Sequence, residues 1–110
     1  MNQKQLLEMS AKSIGLRVVV CGNLSEPFCS KKDDGAVWNP LTNGQHAFEL
    51  MVAHRIDVLC NKTKNTVVAI SRDHRAEIEL DGDDDVKKYR IAVVKVAAMI
   101  GSEMGVSHVV

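Results

Sequence analysis

Chemistry in a protein chain needs particular side chains at reachable spacings. Three thiols, four imidazoles and a run of carboxylates are the groups here that could supply it. A nucleophile activated by a base would pair Cys60 with His54, or Ser71 with Asp73 and His74. Cys60 ends a strand and His54 ends a helix, so spacing alone does not bring them within reach. A zinc site would draw on Cys21, Cys29, Cys60, His46, His54 or His74, but the short paired spacings of structural sites are missing. No metal ligand is therefore assigned, and no cofactor is implied. Asp81, Asp83 and Asp85 fall at the first, third and fifth places of a calcium loop. Val86 and Ala92 stand where that loop needs Gly and a bidentate Glu. The cluster reads as the acidic start of a helix, where carboxylates meet free amides and the positive dipole end.

Two further stretches are candidates for binding. Thr42-Asn43-Gly44 opens a helix, which suits either an anion or a plain cap. Trp38, followed by Asn39-Pro40-Leu41, either pins a helix to a sheet or lines a ligand cleft with Asn39, Thr42 and Asn43. Lys31-Lys32, Lys62/Lys64, Arg72/Arg75 and Lys87-Lys88-Arg90 are basic groups that could touch a nucleic-acid backbone. Most have acidic neighbours.

The chain has 110 residues, 45% of them apolar and 25% charged, as expected of one globular domain spanning residues 1–110. Fourteen basic and 14 acidic residues give a net charge of zero, which argues against a broad nucleic-acid surface. No apolar run nears the roughly 18 residues of a membrane span. The odd number of unpaired-looking cysteines and the polar N-terminus predict a cytoplasmic protein with reduced thiols.

Elements follow from periodicity and punctuation. A first helix covers 3–14, with Leu6, Leu7, Ser10 and Ile14 on one face and Gly15 as its stop. Leu16–Cys21 is a strand. A second, short strand near Phe28-Cys29 leads through an Asp34-Gly35 turn to Ala36-Val37-Trp38. A second helix runs from about 44 to 55, with Phe48, Met51, Val52 and Ile56 as its apolar stripe and Ala47 and Leu50 beside it. Strands at 57–60, 66–71 and 75–80 follow. The last alternates Ala76, Ile78 and Leu80 with Arg75, Glu77 and Glu79, the pattern of an antiparallel sheet with one wet face. A third helix covers about 84–104, and the tail from about 106 is expected to fray. The order α-β-(β)-β-α-β-β-β-α predicts an α+β fold, with one mainly antiparallel sheet of four to five strands and three helices.

The third helix is apolar almost all round between Ile91 and Ile100, with Lys95 the single polar residue. Val86, Tyr89, Val93, Val96, Ala97, Ile100 and Met104 serve one face. Ile91, Val94, Ala98 and Met99 lie elsewhere on the cylinder. Either the helix is central and covered on both sides, or the second group meets a partner, most simply another copy of the chain in a homodimer.

Three segments carry a resemblance. They are Val37-Trp38-Asn39-Pro40-Leu41-Thr42 with Ala47 and Leu50-Met51-Val52; Leu6 to Gly15; and Tyr89 to Gly101. Together they resemble small tailed-bacteriophage and prophage proteins of unassigned activity and, more loosely, NinX-type phage proteins. The resemblance implies a genomic context and a host-cytoplasm location, not a reaction. The turn that is acidic in those proteins reads Thr42-Asn43-Gly44-Gln45-His46 here, which suits a helix cap. The expectation is a non-catalytic accessory protein that binds host or phage macromolecules as a homodimer, without a membrane. Nucleic-acid contact through the lysine loops, or a small ligand beside Trp38, are the alternatives.

Overall fold

A computed structural model describes residues 1–22 and 27–107. Its elements in chain order are α1 (Gln3–Ser13), β1 (Val18–Cys21), β2 (Phe28–Lys31), β3 (Val37–Trp38), α2 (Gly44–His54), β4 (Asp57–Asn61), β5 (Thr66–Ser71), β6 (His74–Glu79) and α3 (Asp85–Ser107). The fold is α+β, but the strands do not form one sheet of four to five. They form two antiparallel three-stranded sheets, β1-β2-β3 and β4-β5-β6. The break falls where α2 separates β3 from β4, so each sheet is a local meander whose loops are short enough to close without long-range pairing. α3 continues to Ser107, and residues 108–110 of the tail expected to fray lie outside the described residues. The Asn23 end of the turn expected after β1 also lies outside them.

Local chemistry explains the ends. Asn2 caps α1, accepting from the Gln5 amide while the Gln5 side chain accepts from the Asn2 amide, each at 2.9 Å. The Gly35 amide donates to the Lys31 carbonyl at 2.8 Å in the β2–β3 turn, with Gly35 at φ 72°. Arg55 closes α2 in the left-handed region at φ 51°, and the Ile56 amide returns to the Met51 carbonyl at 2.9 Å.

Packing centres on α3. One side meets α2 and the β4-β5-β6 sheet, where Val67, Ala69 and Ala76 join the core. The opposite side meets α1 along its length. Leu7, Ser10 and Ala11 on α1 have no exposed surface, and neither do Val94, Ala97 and Ala98 on α3. Residues three, four and seven apart share a helix face, so Val94, Ala97 and Ala98 lie with Gly101. A Cβ built on Gly101 would stand 1.9 Å from the Met9 carbonyl oxygen and 3.2 Å from the Ser13 nitrogen. The helices therefore touch backbone to backbone, and only small residues fit between them.

That contact answers the question left by the apolar circumference of α3. Val94 and Ala98, expected at a dimer interface, are fully buried within the single chain. Ile91 and Met99 are half-buried, and Ile91 shares a cleft with Leu6 and Gln3 of α1. On this second face α1 covers Val94 and Ala98, while Ile91 and Met99 keep part of their surface exposed.

A backbone contact this close fixes a sign for mutagenesis. At an exposed helical position Gly→Ala stabilises by up to about 1 kcal/mol. Gly101→Ala should instead destabilise the protein by about 2 kcal/mol in urea titrations, because the added methyl overpacks the crossing. A stabilised variant would show that α1 and α3 do not meet there.

Candidate functional site

The groups with catalytic potential are committed to architecture. The Ser13 hydroxyl donates to the Ser10 carbonyl at 2.6 Å, which leaves its oxygen free to accept from His54 Nε2 at 2.8 Å. With the serine proton committed to Ser10, the imidazole N–H donates the hydrogen bond to the serine oxygen, the reverse of the role a base takes toward a nucleophile. Ser71 donates to the His54 carbonyl at 2.7 Å, tying the start of the β5–β6 turn to the end of α2. His74 pairs with Glu103 at 3.0 Å. His54, Ser71, His74 and Glu103, with Arg55, Arg72 and Asp73, rim a cleft of 570 Å³ at one end of α3. Cys60 is nowhere in this group; its thiol lies beside the Tyr89 hydroxyl, a contact that pushes the phenol pKa up. Cys29 is buried, which raises its thiol to about 12.

The turn around Trp38 is equally occupied. Trp38 has no exposed surface, so the indole belongs to the core and does not wall a ligand cleft. It stacks on His46 with ring centroids 6.1 Å apart, while His46 Nδ1 accepts from the Asn39 amide at 2.9 Å. Asn39 donates to the Pro27 carbonyl at 3.2 Å and accepts from the Leu41 amide at 3.0 Å. Asn43 is the cap of α2, accepting from the Gln45 and His46 amides at 2.9 and 3.2 Å. Arg90 Nε on α3 donates to the Leu41 carbonyl at 2.9 Å, fastening the turn from the other side. Of the four residues expected at a ligand site, Asn39 and Thr42 border a 520 Å³ cleft with Gln3, Leu6, Phe28 and Lys87.

The aspartates hold the start of α3. Asp81 accepts from the Asp83 amide at 2.9 Å, Asp84 from the Lys87 amide at 3.2 Å and Asp85 from the Gly82 amide at 3.2 Å. Lys88 pairs with Asp81 and lies 3.7 Å from Asp85. Among the described residues no group of three or more His, Cys, Asp or Glu is placed to hold a metal. None of the described helices is long and apolar enough to cross a membrane.

The least expected surface is apolar. Periodicity puts Phe48 and Val52 on the inward stripe of α2, yet they are 60% and 63% exposed, while Ala47 and Leu50 are buried. Phe48 faces a groove of 370 Å³ bounded by Gly44, Met51, Val58, Val86 and Tyr89, between α2, β4 and the start of α3. Val86 is 67% exposed and Leu59, next to Val58 on β4, is 57% exposed. Spacing could not separate the two possible stripes of α2, since Ala47, Phe48, Leu50, Met51 and Val52 leave it greasy on most sides. No family model, no curated protein and no solved structure matches the chain.

The His54 contact has a pH signature. Burial, and then the neighbouring His74, hold the His54 imidazole below its ordinary 6.5. The folded state therefore favours the neutral ring, and this contribution is complete above about pH 6.5 and lost as acid protonates it. Melting temperature should fall with pH below that value more steeply in the wild type than in His54→Gln. Equal slopes would show that His54 is not held neutral by its surroundings.

Proposed function

We propose that this chain is a non-catalytic binding module that works as a homodimer through the apolar surface of α2, β4 and the start of α3. The observation that carries this reading is the exposure of Phe48 and Val86 around one groove, with Val52 exposed one turn further along α2 and Leu59 exposed on the adjoining strand β4. Large apolar side chains scattered singly on a surface are ordinary, but a contiguous patch beside a groove marks a contact site. A zero net charge adds no long-range repulsion between two copies. The polar groups that could have carried a reaction are engaged in caps, turns and helix ends instead.

The Trp38–Thr42 turn and the two terminal segments resemble tailed-phage proteins. That resemblance supports placing the module among phage or prophage accessory proteins working in the host cytoplasm. Of the basic groups, Lys88 is paired with Asp81, Arg75 with Glu77 at 3.2 Å, and Arg90 with a backbone carbonyl.

Sedimentation velocity tests the proposal. Phe48→Asp should leave the urea midpoint nearly unchanged, because exposed substitutions stay within about 0.5 kcal/mol. It should weaken self-association by about tenfold or more. A wild type that stays monomeric at high concentration, or a variant that dimerises as well as the wild type, contradicts the reading.

A further inference from the structure

We infer that two copies join by pairing β4 with β4 in antiparallel register about a twofold axis at Leu59, turning two three-stranded sheets into one of six strands. This rests on the homodimer reading above and specifies the contact.

The hydrogen-bond phase of the sheet decides which groups are free. The Leu80 amide donates to the Asn65 carbonyl at 2.9 Å, one step beyond the Thr66–Glu79 pair. Antiparallel ladders alternate, so Asn65, Val67 and Ala69 turn their backbone groups to β6, and Thr66, Val68 and Ile70 turn theirs to β4. Their β4 partners are Asn61, Leu59 and Asp57. The N–H and C=O of Val58 and Cys60 therefore point away from β5. Among the described residues no backbone or side-chain group bonds them.

An open edge usually carries a guard: a lysine, a proline, a bulge or a charge. On β6, Arg75, Glu77 and Glu79 occupy the outer face. Residues Asp57–Asn61 of β4 hold none of these devices except Asp57 at the start. The strand is also complementary to itself. With Leu59 facing the partner's Leu59, Val58 of each copy meets the partner's Cys60 and exchanges two backbone hydrogen bonds, four in all. Asp57 meets the partner's Asn61, so no like charges oppose one another. Leu59 falls in a non-hydrogen-bonded pair, where facing side chains come closest.

A stable interface takes about 800 Å² from each partner, more than five strand residues supply. The groove on the helix side of the sheet extends the patch. Val58 forms its floor, and Phe48, Val86 and Tyr89 stand beside the same edge. Pairing at Leu59 brings the two grooves together across the axis.

Two variants test the register. Leu59→Lys adds a guard at a site 57% exposed, so the fold should persist. Sedimentation should then show a dimer weakened at least tenfold, while Arg72→Lys, in the β5–β6 turn, dimerises like the wild type. Leu59→Cys, made with Cys21 and Cys60 changed to serine, should form a covalent dimer under mild oxidation, since the facing Cβ atoms fall near disulfide distance. A dimer that resists Leu59→Lys and does not cross-link at position 59 overturns the β4 pairing and moves the contact elsewhere, leaving the homodimer reading standing. A wild type that is monomeric at every concentration overturns both.

Discussion

The structure depends on the backbone contact between α1 and α3. Gly101 has no side chain, and any it had would collide with the Met9 carbonyl. Ala97, Ala98, Ser10 and Ala11 keep the rest of the crossing thin. The two helices can then cover each other, although α3 is apolar on nearly every side. Dispersion attraction between backbones this close offsets the few methylenes the small residues forgo. The other side of α3 is left to support α2 and the β4-β5-β6 sheet.

Covering α3 internally displaces the apolar surplus instead of removing it. A domain of this size has limited depth. α1 and both sheets use up the inward faces, and α2 is left at the margin with only Ala47 and Leu50 buried. Its larger residues, Phe48 and Val52, face out beside an unguarded strand edge. Exposed apolar surface thus lies on α2 and β4, while the core-facing sides of α3 are covered within the chain.

Much of the fold was legible in the sequence. The β-branched runs, the Asp34-Gly35 turn, the alternation of β6, the stop of α1 at Gly15 and the start of α2 after Asn43 reflect local sterics and hydrogen bonding, which act at short range. The division into two sheets was not legible, since nothing in a strand's own residues states which distant strand it joins. By its type alone Gly101 is a poor helix residue; its role is set by a carbonyl about ninety positions earlier, at Met9. The residue types of the Trp38 turn suit a core or a cleft, and the stack on His46 with the bonds of Asn39 makes it core. The exposed groove was hidden because α2 carries two apolar stripes and only tertiary packing selects one. Ser13 and His54, 41 positions apart, gave no signal of their pairing.

Amide hydrogen exchange followed across protein concentration reports most directly where the apolar surplus lies. The account predicts that protection at Val58 and Cys60 rises with concentration, while Val94 and Ala98 are slow at every concentration because α1 already covers them. Protection that rises along α3 and leaves β4 unchanged would contradict it.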